Sequence, residues 1–192
     1  LDKSSDGGKT WGVDKVIAIQ PGGWTFDVPA IGRCNGMPII DSDSSNGSHK
    51  GTMYINWADQ RNGVEDTDIW LAKSTDNGES WSDPIRVNDD APGKHQFFSW
   101  MDVDQSTGYI YIVFYDRRAY DDAQTDVYLA YSKDGGQTFT NQKISEKPFT
   151  PNKNVFFGDY NDISAVNGII RPVWTVANGG ALSVHTALIE IK

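Results

Sequence analysis

The stretch Ser-Thr-Asp-Asn-Gly-Glu-Ser-Trp at residues 74–81 decides the fold, because the same pattern occurs three times in the chain. It returns as SKDGGQTF at 132–139 and stands near the start as SSDGGKTW at 4–11. The glycine can adopt a positive φ without steric cost, and the aspartate can accept backbone N–H bonds from the turn that follows it. The aromatic residue in the eighth position can fold back against neighbouring strands. A ligand-binding loop would not recur at one fixed phase, so we interpret the pattern as a rigid structural turn.

The strands around these turns repeat as well. The segment GTMYINWAD at 51–59 aligns with GYIYIVFYD at 108–116, and DTDIWLAKS at 66–74 aligns with QTDVYLAYS at 124–132. Another short strand precedes each pair and a polar strand follows it, which gives four alternating strands in roughly 58 residues. Four antiparallel strands at this spacing are typical of a β-propeller blade. The sequence therefore predicts an all-β chain with almost no helix. The residues expected to build the turns are Asp6, Gly8, Trp11, Asp76, Gly78, Trp81, Asp134, Gly136 and Phe139.

The repeat divides the chain, residues 1–192, into parts of a single β-propeller region. Residues 36–90 and 97–147 each correspond to a complete blade, and residues 158–192 to a partial blade of three strands. Residues 1–20 correspond to a closing half-blade, with a turn followed by a strand at 13–20. Because propellers typically have four to eight blades, about three cannot close a ring. We expect either a piece of a larger propeller with about six blades or a half-ring that pairs with a second copy.

Composition restricts the classes of binding partner and indicates where the protein is located. The formal net charge of −9 argues against nucleic acid and against an anionic membrane surface. No run approaches eighteen consecutive apolar residues, so no membrane span is predicted. The single cysteine, Cys34, cannot form an internal disulfide bond, and we interpret it as a small apolar residue. The chain begins inside a repeat with no signal peptide in view, and we expect a mature or truncated piece of a secreted or cell-surface protein.

The turn pattern Ser-x-Asp-x-Gly-x-Thr/Ser-Trp/Phe resembles the Asp-box, or BNR, repeat of sialidase-like propellers, and all three copies match it. Further stretches are similar to a group of secreted bacterial Asp-box proteins that are labelled sialidase-like or glycosyl hydrolases. These are RCNGMP (33–38), INWADQRNG (55–63), HQFFSWM (95–101), FYDRR (114–118) and FFGDYNDISA (156–165). The resemblance implies a six-bladed propeller that binds carbohydrate, with the Asp boxes away from the active face.

Strand order predicts where a ligand site lies. The turns between strands one and two and between strands three and four share one rim of the blades, and the other connections share the opposite rim. The second set is longer and more varied, and it comprises residues 20–36, 59–68, 88–99, 116–126, 145–162 and 175–181. Long loops on a rigid scaffold are where binding residues concentrate. We therefore expect the site on this second rim.

Two arginines recur at one phase of the repeat, just after strand two. Arg61 follows Asp59 and Arg118 follows Asp116. An arginine here can clamp the carboxylate of a sugar acid with two parallel hydrogen bonds, or it can pair with its neighbouring aspartate and brace the loop. Because the Asp–Arg pair occurs at the same position in two blades, we favour the second role, in which the ion pair braces the loop; we call this pair the brace. Residues present in one copy only are better functional candidates, namely Glu65, His95, Arg117, Tyr120, Asp159 and Tyr160, and Trp24 is a candidate for stacking on a sugar ring.

The resemblance also implies a catalytic set that this chain matches only in part. Sialidase chemistry uses three arginines around the substrate carboxylate, a tyrosine nucleophile activated by a glutamate, and an aspartate as acid and base. The chain lacks the Phe/Tyr-Arg-Ile-Pro stretch of true sialidases, so hydrolysis stays open. The catalytic candidates are Tyr120, Glu65, Asp159 and Tyr160, and the substrate-binding candidates are Arg61, Arg117, Arg118, His95 and Trp24. The alternative is a non-catalytic propeller that serves protein interaction or surface adhesion.

No cofactor or metal site is predicted. The run Asp41-Ser-Asp43-Ser-Ser-Asn46-Gly47 offers alternating oxygen ligands for calcium, but its glycine is one place away from the EF-hand position. The segment 102–108 begins with the same Asp-x-Asp pattern at the same phase. A hairpin turn is therefore the favoured interpretation, and calcium binding is the weaker alternative.

Overall fold

The computed structural model describes residues 1–191, and these residues form strands, turns and loops without any helix. Consequently the described chain has no helix with the length and apolar character needed to cross a membrane. The strands are β1 (Thr25–Phe26), β2 (Cys34–Asn35), β3 (Ile39–Ser42), β4 (Met53–Asp59), β5 (Asp68–Ser74), β6 (Ile85–Arg86), β7 (Gln96–Val103), β8 (Ile110–Asp116), β9 (Asp126–Ser132), β10 (Thr140–Lys143), β11 (Asp162–Val166), β12 (Ile169–Asn178), β13 (Ala181–Thr186) and β14 (Ile189–Glu190).

Two four-stranded antiparallel sheets repeat one plan. The first blade has the order β3-β4-β5-β6, and the second has β7-β8-β9-β10 in the same sequence. All seven residues of β8 are buried, because the strand is central in its sheet and both faces of that sheet are covered. A bulge interrupts β7 between Phe97 and Trp100, and Phe98 within it has a φ of 51°. Two complete four-stranded sheets therefore span residues 39–86 and 96–143.

The third sheet has three strand positions. β12 pairs with β11 on one side, and on the other side it pairs first with β14 and then with β13. The outer edge formed by β13 and β14 carries exposed apolar side chains, including Val184 and Leu188. The third sheet, which spans Asp162 to Glu190, is therefore a partial blade with three strand positions.

The predicted closing strand at 13–20 does not form. Residues 1–20 contain no strand, and their backbone bonds are local, such as Gly12 N to Lys3 O and Lys15 N to Leu1 O. The segment lies beside the first blade, where Ala18 packs against Trp57 and its neighbours. The physical reason is that a strand requires a partner for its backbone groups, and residues 13–20 pair with no strand of the described chain. Its apolar side chains at 13, 16 and 19 are exposed.

The blades pack against each other through their inner strands. β7 contacts β3, β4 and β5 of the first blade on one side and β11 of the third blade on the other. Aromatic rings fill the junction near the loop ends of the second and third blades. Phe157 lies 5.2 Å from Tyr115 and 5.3 Å from Phe149 between ring centroids, and Phe97 lies 5.4 Å from Tyr115. One continuous apolar core therefore joins all three sheets.

Strand register separates two rims, as the sequence predicts. At one end of the first blade Met53 pairs with Ser74, where the turn 74–81 begins, and at the other end Asp59 pairs with Asp68. We name the first end the turn rim, which carries 41–52, 74–81, 104–109 and 132–139. The opposite end is the loop rim, which carries 20–36, 59–68, 88–96, 116–126, 145–161 and 178–181.

The three repeated turns share one hydrogen-bond pattern. In the third copy Asp134 accepts from the backbone N–H groups of Gln137 and Thr138, at 2.9 and 3.0 Å, and from the Thr138 hydroxyl at 2.6 Å. Gly136 N donates to Ser132 Oγ at 2.9 Å. Asp6 and Asp76 accept the corresponding bonds in the other copies. Hydrogen bonds from Ser80 and Ser74 lower the pKa of Asp76 to about 2, so this carboxylate stays ionised.

The closing aromatic residue packs inward in two of the three turns. Trp81 contacts the cluster formed by Trp57 and Trp70, and Phe139 contacts the main core. Trp11, which we expected to do the same, is 62% exposed. The turn at 4–11 has no sheet of its own within the described chain, so its indole has no strand to cover.

Candidate ligand pocket on the loop rim

A cavity of about 220 Å³ opens on the loop rim where the loops of the first two blades meet the 20–36 loop. Four of the predicted site residues, Glu65, His95, Arg117 and Tyr120, line it together. They come from three different connections, and backbone pairing explains why they meet. Arg117 N donates to His95 O at 3.1 Å, which ties the end of β8 to the start of β7. The full lining is Pro29, Glu65, Gly93, Lys94, His95, Arg117, Tyr120, Asp121, Asp122 and Ala123.

Arg117 is the most deeply placed of these residues, with 2% of its surface exposed. Its Nε donates to Thr125 Oγ1 at 3.0 Å, and its Nη1 donates to Pro29 O at 2.8 Å. The ring of Phe97 lies beneath it, 5.2 Å from the guanidinium carbon to the ring centroid. Nη2 is buried and has no hydrogen-bond partner among residues 1–191. The guanidinium is therefore held on three sides, and the N–H groups of Nη2 remain without a hydrogen-bond acceptor.

The charge of Arg117 has no carboxylate paired with it in the described chain. Burial lowers the pKa of Arg117 to about 10, and the opposing influences of Cys34 and of the exposed Asp122 offset only part of this shift. Removing an unpaired cation from water is costly, because neither solvent nor a counter-ion stabilises it. The group stays protonated at neutral pH. An anion that entered the cavity would remove this penalty.

His95 and Glu65 form the wall beside Arg117. His95 Nδ1 lies 2.9 Å from the Thr67 hydroxyl, and its Nε2 lies 4.0 Å from a carboxylate oxygen of Glu65. Burial, together with the Arg117 charge, lowers the pKa of His95 below its usual value of 6.5. The imidazole is consequently neutral at pH 7. Glu65 is mostly exposed and can reach a ligand from the rim.

Tyr120 has a carboxylate partner on its phenol. Its hydroxyl donates to Asp126 Oδ2 at 2.8 Å, and Asp126 also contacts Lys143 at 2.9 Å. Burial and the Asp126 charge raise the pKa of Tyr120 to about 12, so the phenol is protonated at rest. A phenol bonded to a carboxylate is the arrangement in which the carboxylate can accept its proton. The neighbouring Lys94 contacts the Tyr120 carbonyl and Asp121.

Arg61 and Arg118 lie outside the pocket and form the brace. Arg61 pairs with Asp59 at 2.6 Å, and its guanidinium stacks over Trp70 at 4.3 Å. Arg118 pairs with Asp116 at 2.8 Å and stacks over Tyr128 at 4.2 Å. Each arginine thus has a buried aspartate partner and an aromatic platform in its own blade. These contacts match the loop-bracing interpretation and leave less capacity for a ligand.

The other candidates lie apart from the pocket lining. Asp159 pairs with Arg33, with 2.8 Å between Arg33 Nε and Asp159 Oδ1, and accepts from Asn35 through its backbone. The ring of Tyr160 is exposed and lies 5.6 Å from that of Trp100. Trp24 is exposed in the 20–36 loop. The structure therefore does not bring Asp159, Tyr160 or Trp24 into the Arg117 cavity.

The sequence did not predict every residue that lines the pocket. Pro29, Lys94 and the segment 121–123 line the cavity, but none carries a local motif. Their positions depend on contacts between loops far apart in the chain, such as Arg117 with Pro29. The segment 121–123 includes two adjacent aspartates, Asp121 and Asp122, which the sequence shows as a pair of acidic residues.

The calcium-like run at 41–47 takes part in hydrogen bonds of its hairpin. Among residues 1–191, no group of three or more His, Cys, Asp or Glu side chains is arranged to hold a metal ion. In the calcium-like run, Asp43 Oδ1 accepts from Ser45 N at 2.8 Å, and Asp41 Oδ2 accepts from Val103 N. Both side chains serve the hairpin and its contact with the second blade.

Comparison with known proteins supports the architecture. No family model and no curated protein sequence matches the chain. Among solved structures, it is similar to an α-L-arabinanase of Penicillium chrysogenum complexed with arabinobiose, with 18% identity over 97% of this chain and 53% of that one and a TM-score of 0.62. It is also similar to an α-L-arabinofuranosidase of Fusarium graminearum in complex with an iminosugar inhibitor, with 16% identity over 98% and 53% of the two chains and a TM-score of 0.60.

A third similar structure is a Hadza microbial sialidase, with 18% identity over 99% of this chain and 39% of that one and a TM-score of 0.58. The chain thus spans about two fifths to one half of the proteins that it resembles. Its fold is the β-propeller fold of these neighbours, and the chain contains about three blades. At these identities the likeness defines the fold, and function must be argued from the site.

Proposed function

We propose that this chain is part of a secreted, sialidase-like Asp-box propeller, and that the Arg117 pocket binds a carbohydrate bearing a carboxylate. One observation carries the proposal. Arg117 is a buried cation without a paired carboxylate in the described chain, and its unpartnered Nη2 belongs to a residue that lines an open cavity. A sugar carboxylate matches both the charge and the fork geometry of a guanidinium.

The remaining wall residues suit a sugar ring rather than a bare anion. Glu65 can accept hydrogen bonds from sugar hydroxyl groups, while Lys94 can donate to them. His95 is neutral and therefore offers an apolar ring face together with one polar nitrogen. Pockets of this kind combine a few convergent polar groups with a rigid scaffold. The structural neighbours include a sialidase and an arabinanase complexed with arabinobiose, which is consistent with this class of ligand.

Hydrolysis is a second candidate, favoured by the bond between Tyr120 and Asp126. In this scheme Asp126 would accept the phenolic proton while the Tyr120 oxygen attacks the anomeric carbon and the glycosidic bond breaks, the leaving oxygen taking a proton from solvent water. A second water would then cleave the tyrosyl–sugar bond, and Asp126 would return its proton to the Tyr120 oxygen. The pKa of about 12 means that the phenol must lose its proton during the step rather than before it. The chain presents one pocket arginine, where the sialidase resemblance implies three, so binding is the function with the stronger support.

Calorimetric titration tests the binding proposal. We expect N-acetylneuraminate or glucuronate to bind and glucose to bind at least about tenfold more weakly, because only the acids neutralise Arg117. Arg117→Lys should lose most of this preference. Arg61→Lys is the matched control, because Arg61 is paired with Asp59 outside the pocket. Equal binding of acid and neutral sugars, or an unchanged preference in Arg117→Lys, would overturn the proposal. Binding of neither sugar would favour the protein-interaction scaffold.

Turnover is tested separately with fluorogenic sialosides and arabinofuranosides. A hydrolytic chain should release the fluorophore, and Tyr120→Phe should abolish the release without changing the affinity for free sugar acid. Release that persists in Tyr120→Phe would exclude this tyrosine as the nucleophile.

A further inference from the structure

Each of the three blades carries an aromatic pair across its second and third strands. Trp57 pairs with Trp70 in the first blade, and Phe114 pairs with Tyr128 in the second. In the third blade the corresponding pair is Trp174 and His185, whose rings are stacked with centroids 6.3 Å apart. The same structural position can therefore be compared in three environments.

In the first two blades a guanidinium covers this pair. The arginine stands four residues after the aromatic residue of strand two, and its aspartate stands two residues after it. Arg61 also reaches the backbone of the preceding segment, with Nη2 at 3.4 Å from Ile19 O. Arg118 reaches Asp89, which follows the outer strand of the preceding blade, at 2.5 Å. The brace thus fills the gap between neighbouring blades with a stacked cation.

The third blade lacks both members of the brace. Val176 stands where the aspartate is found in the other blades, and Asn178 stands where the arginine is found. One consequence is visible at Trp174. The corresponding Trp57 donates from Nε1 to Asp59 at 2.7 Å, whereas Trp174 Nε1 is buried without an acceptor among residues 1–191.

A cleft of about 640 Å³, which we name the third-blade cleft, lies at this position. Its floor includes Trp174 and His185, and its other wall comes from the segment that follows the outer strand of the second blade. The lining is Ile144, Ser145, Glu146, Lys147, Pro148, Trp174, Val176, Asn178, His185, Thr186, Ala187 and Leu188. Where the other two blades carry the arginine side chain, the third blade therefore has an open cleft.

An acidic residue equivalent to Asp89 is present at this cleft. Ile144 N donates to Val127 O as Val87 N donates to Ile69 O, so Glu146 takes the place that Asp89 has in the first blade. Asp89 pairs with Arg118, but Glu146 forms no ion pair with any residue of 1–191. Lys147 is the opposing charge at the cleft.

We propose that the third-blade cleft binds a guanidinium group supplied from outside the described chain. The group would stack on His185 and Trp174 and pair with Glu146, as Arg118 stacks on Tyr128 and pairs with Asp89. Cation–π stacking and one partly exposed ion pair are individually weak, so we expect a dissociation constant for a small guanidinium of about 1–10 mM. The inference is independent of the Arg117 pocket and of any carbohydrate.

The test is an NMR titration that follows the indole N–H signal of Trp174. Ethylguanidinium should shift this signal with saturation, and ethylammonium at equal ionic strength should shift it at least about threefold less, because it lacks the planar face. The same titration in Val176→Asp/Asn178→Arg, which rebuilds the brace, should show no saturable shift. Glu146→Gln should weaken binding about threefold or more, whereas the control Glu190→Gln should not.

Two probes distinguish the sources of the guanidinium. Tighter binding of a capped Gly-Arg-Gly peptide than of ethylguanidinium would assign the site to an arginine of a protein partner. Equal binding would assign it to a small guanidino compound. The proposal is overturned if ethylguanidinium produces no saturable shift in the wild-type chain, or if the variant with the rebuilt brace binds it equally well.

Discussion

Arg117 donates from Nη1 to the carbonyl oxygen of Pro29 at 2.8 Å, and this bond anchors the 20–36 loop to the second blade. The loop is held at other points by Gln60, which donates to Asp27 O at 3.0 Å, and by Arg33 with Asp159. Arg117 therefore has two tasks. It fixes one wall of the pocket and presents an unpartnered donor beside the cavity.

Substitution of Arg117 should loosen the loop as well as the pocket. Arg117→Lys retains the charge but cannot bond both Pro29 and Thr125, so we expect a loss of about 1–3 kcal/mol of stability. Hydrogen exchange followed by mass spectrometry should show faster exchange in residues 25–35, with β8 and β9 unchanged. Uniformly faster exchange would mean that the arginine serves the whole fold rather than this loop.

The repeated turns should contribute to stability through their aspartates. Asp134→Ala removes the acceptor for two backbone N–H groups and the Thr138 hydroxyl, and we expect a loss of about 2 kcal/mol in urea unfolding. Asp14→Ala is the matched control, because Asp14 is exposed and belongs to no turn of this type. A loss in Asp134→Ala no larger than in the control would contradict a structural role for the turn.

Removing only one member of the Asp116–Arg118 ion pair should lower the stability of the fold. Asp116 is fully buried and Arg118 supplies its counter-charge, so Arg118→Met leaves a buried carboxylate unpaired. We expect Arg118→Met to destabilise the chain by about 3 kcal/mol, in the range seen for one-sided removal of buried pairs. The double variant Asp116→Asn/Arg118→Met should recover at least half of that loss in a thermal or urea melt. No recovery would show that stacking on Tyr128, and not the ion pair, carries the energy.

Asp102 should make stability fall as the pH rises. Burial is the main cause that raises its pKa to about 6, and Asp41 and Asp104 nearby add to the effect. Because the folded-state pKa exceeds the usual 3.8, the contribution of the protonated group is full below about pH 4 and is lost as the pH rises through 6.

Asp102→Asn should therefore stabilise the chain at pH 7–8 by about 1–2 kcal/mol, while retaining an oxygen that can accept from Ala165 N. The difference in unfolding free energy between variant and wild type should increase between pH 4 and pH 7. A difference that does not change with pH would place the titrating group elsewhere.

The fold could be predicted because its signals are local and repeated. The repeated strand segments at 51–59 and 108–116, rich in β-branched and aromatic residues, and the Asp-Gly turn chemistry both lie within single segments of sequence. The prediction of a strand at 13–20 was wrong, because strand formation depends on a partner edge. The short pairing of β1 with β2 in the 20–36 loop was not predicted, since two-residue strands carry no periodicity.

The candidate site was predictable in part. Arg117, His95, Glu65 and Tyr120 were chosen because each occurs in only one copy of the repeat, and the structure places all four around one cavity. Their distances could not be predicted, because they depend on how loops from two blades and the 20–36 loop approach one another. The burial of Arg117 without a carboxylate partner likewise became visible only in three dimensions.

The central claim is that Arg117 is available to an anionic ligand while Arg61 and Arg118 are occupied. The most direct measurement is a ¹H–¹⁵N NMR titration of the arginine Nε–Hε signals with glucuronate and N-acetylneuraminate. The Arg117 signal should shift with saturation, and the signals of Arg61 and Arg118 should remain in place. An immobile Arg117 signal with both sugar acids, or equal shifts of all three arginines, would contradict the claim.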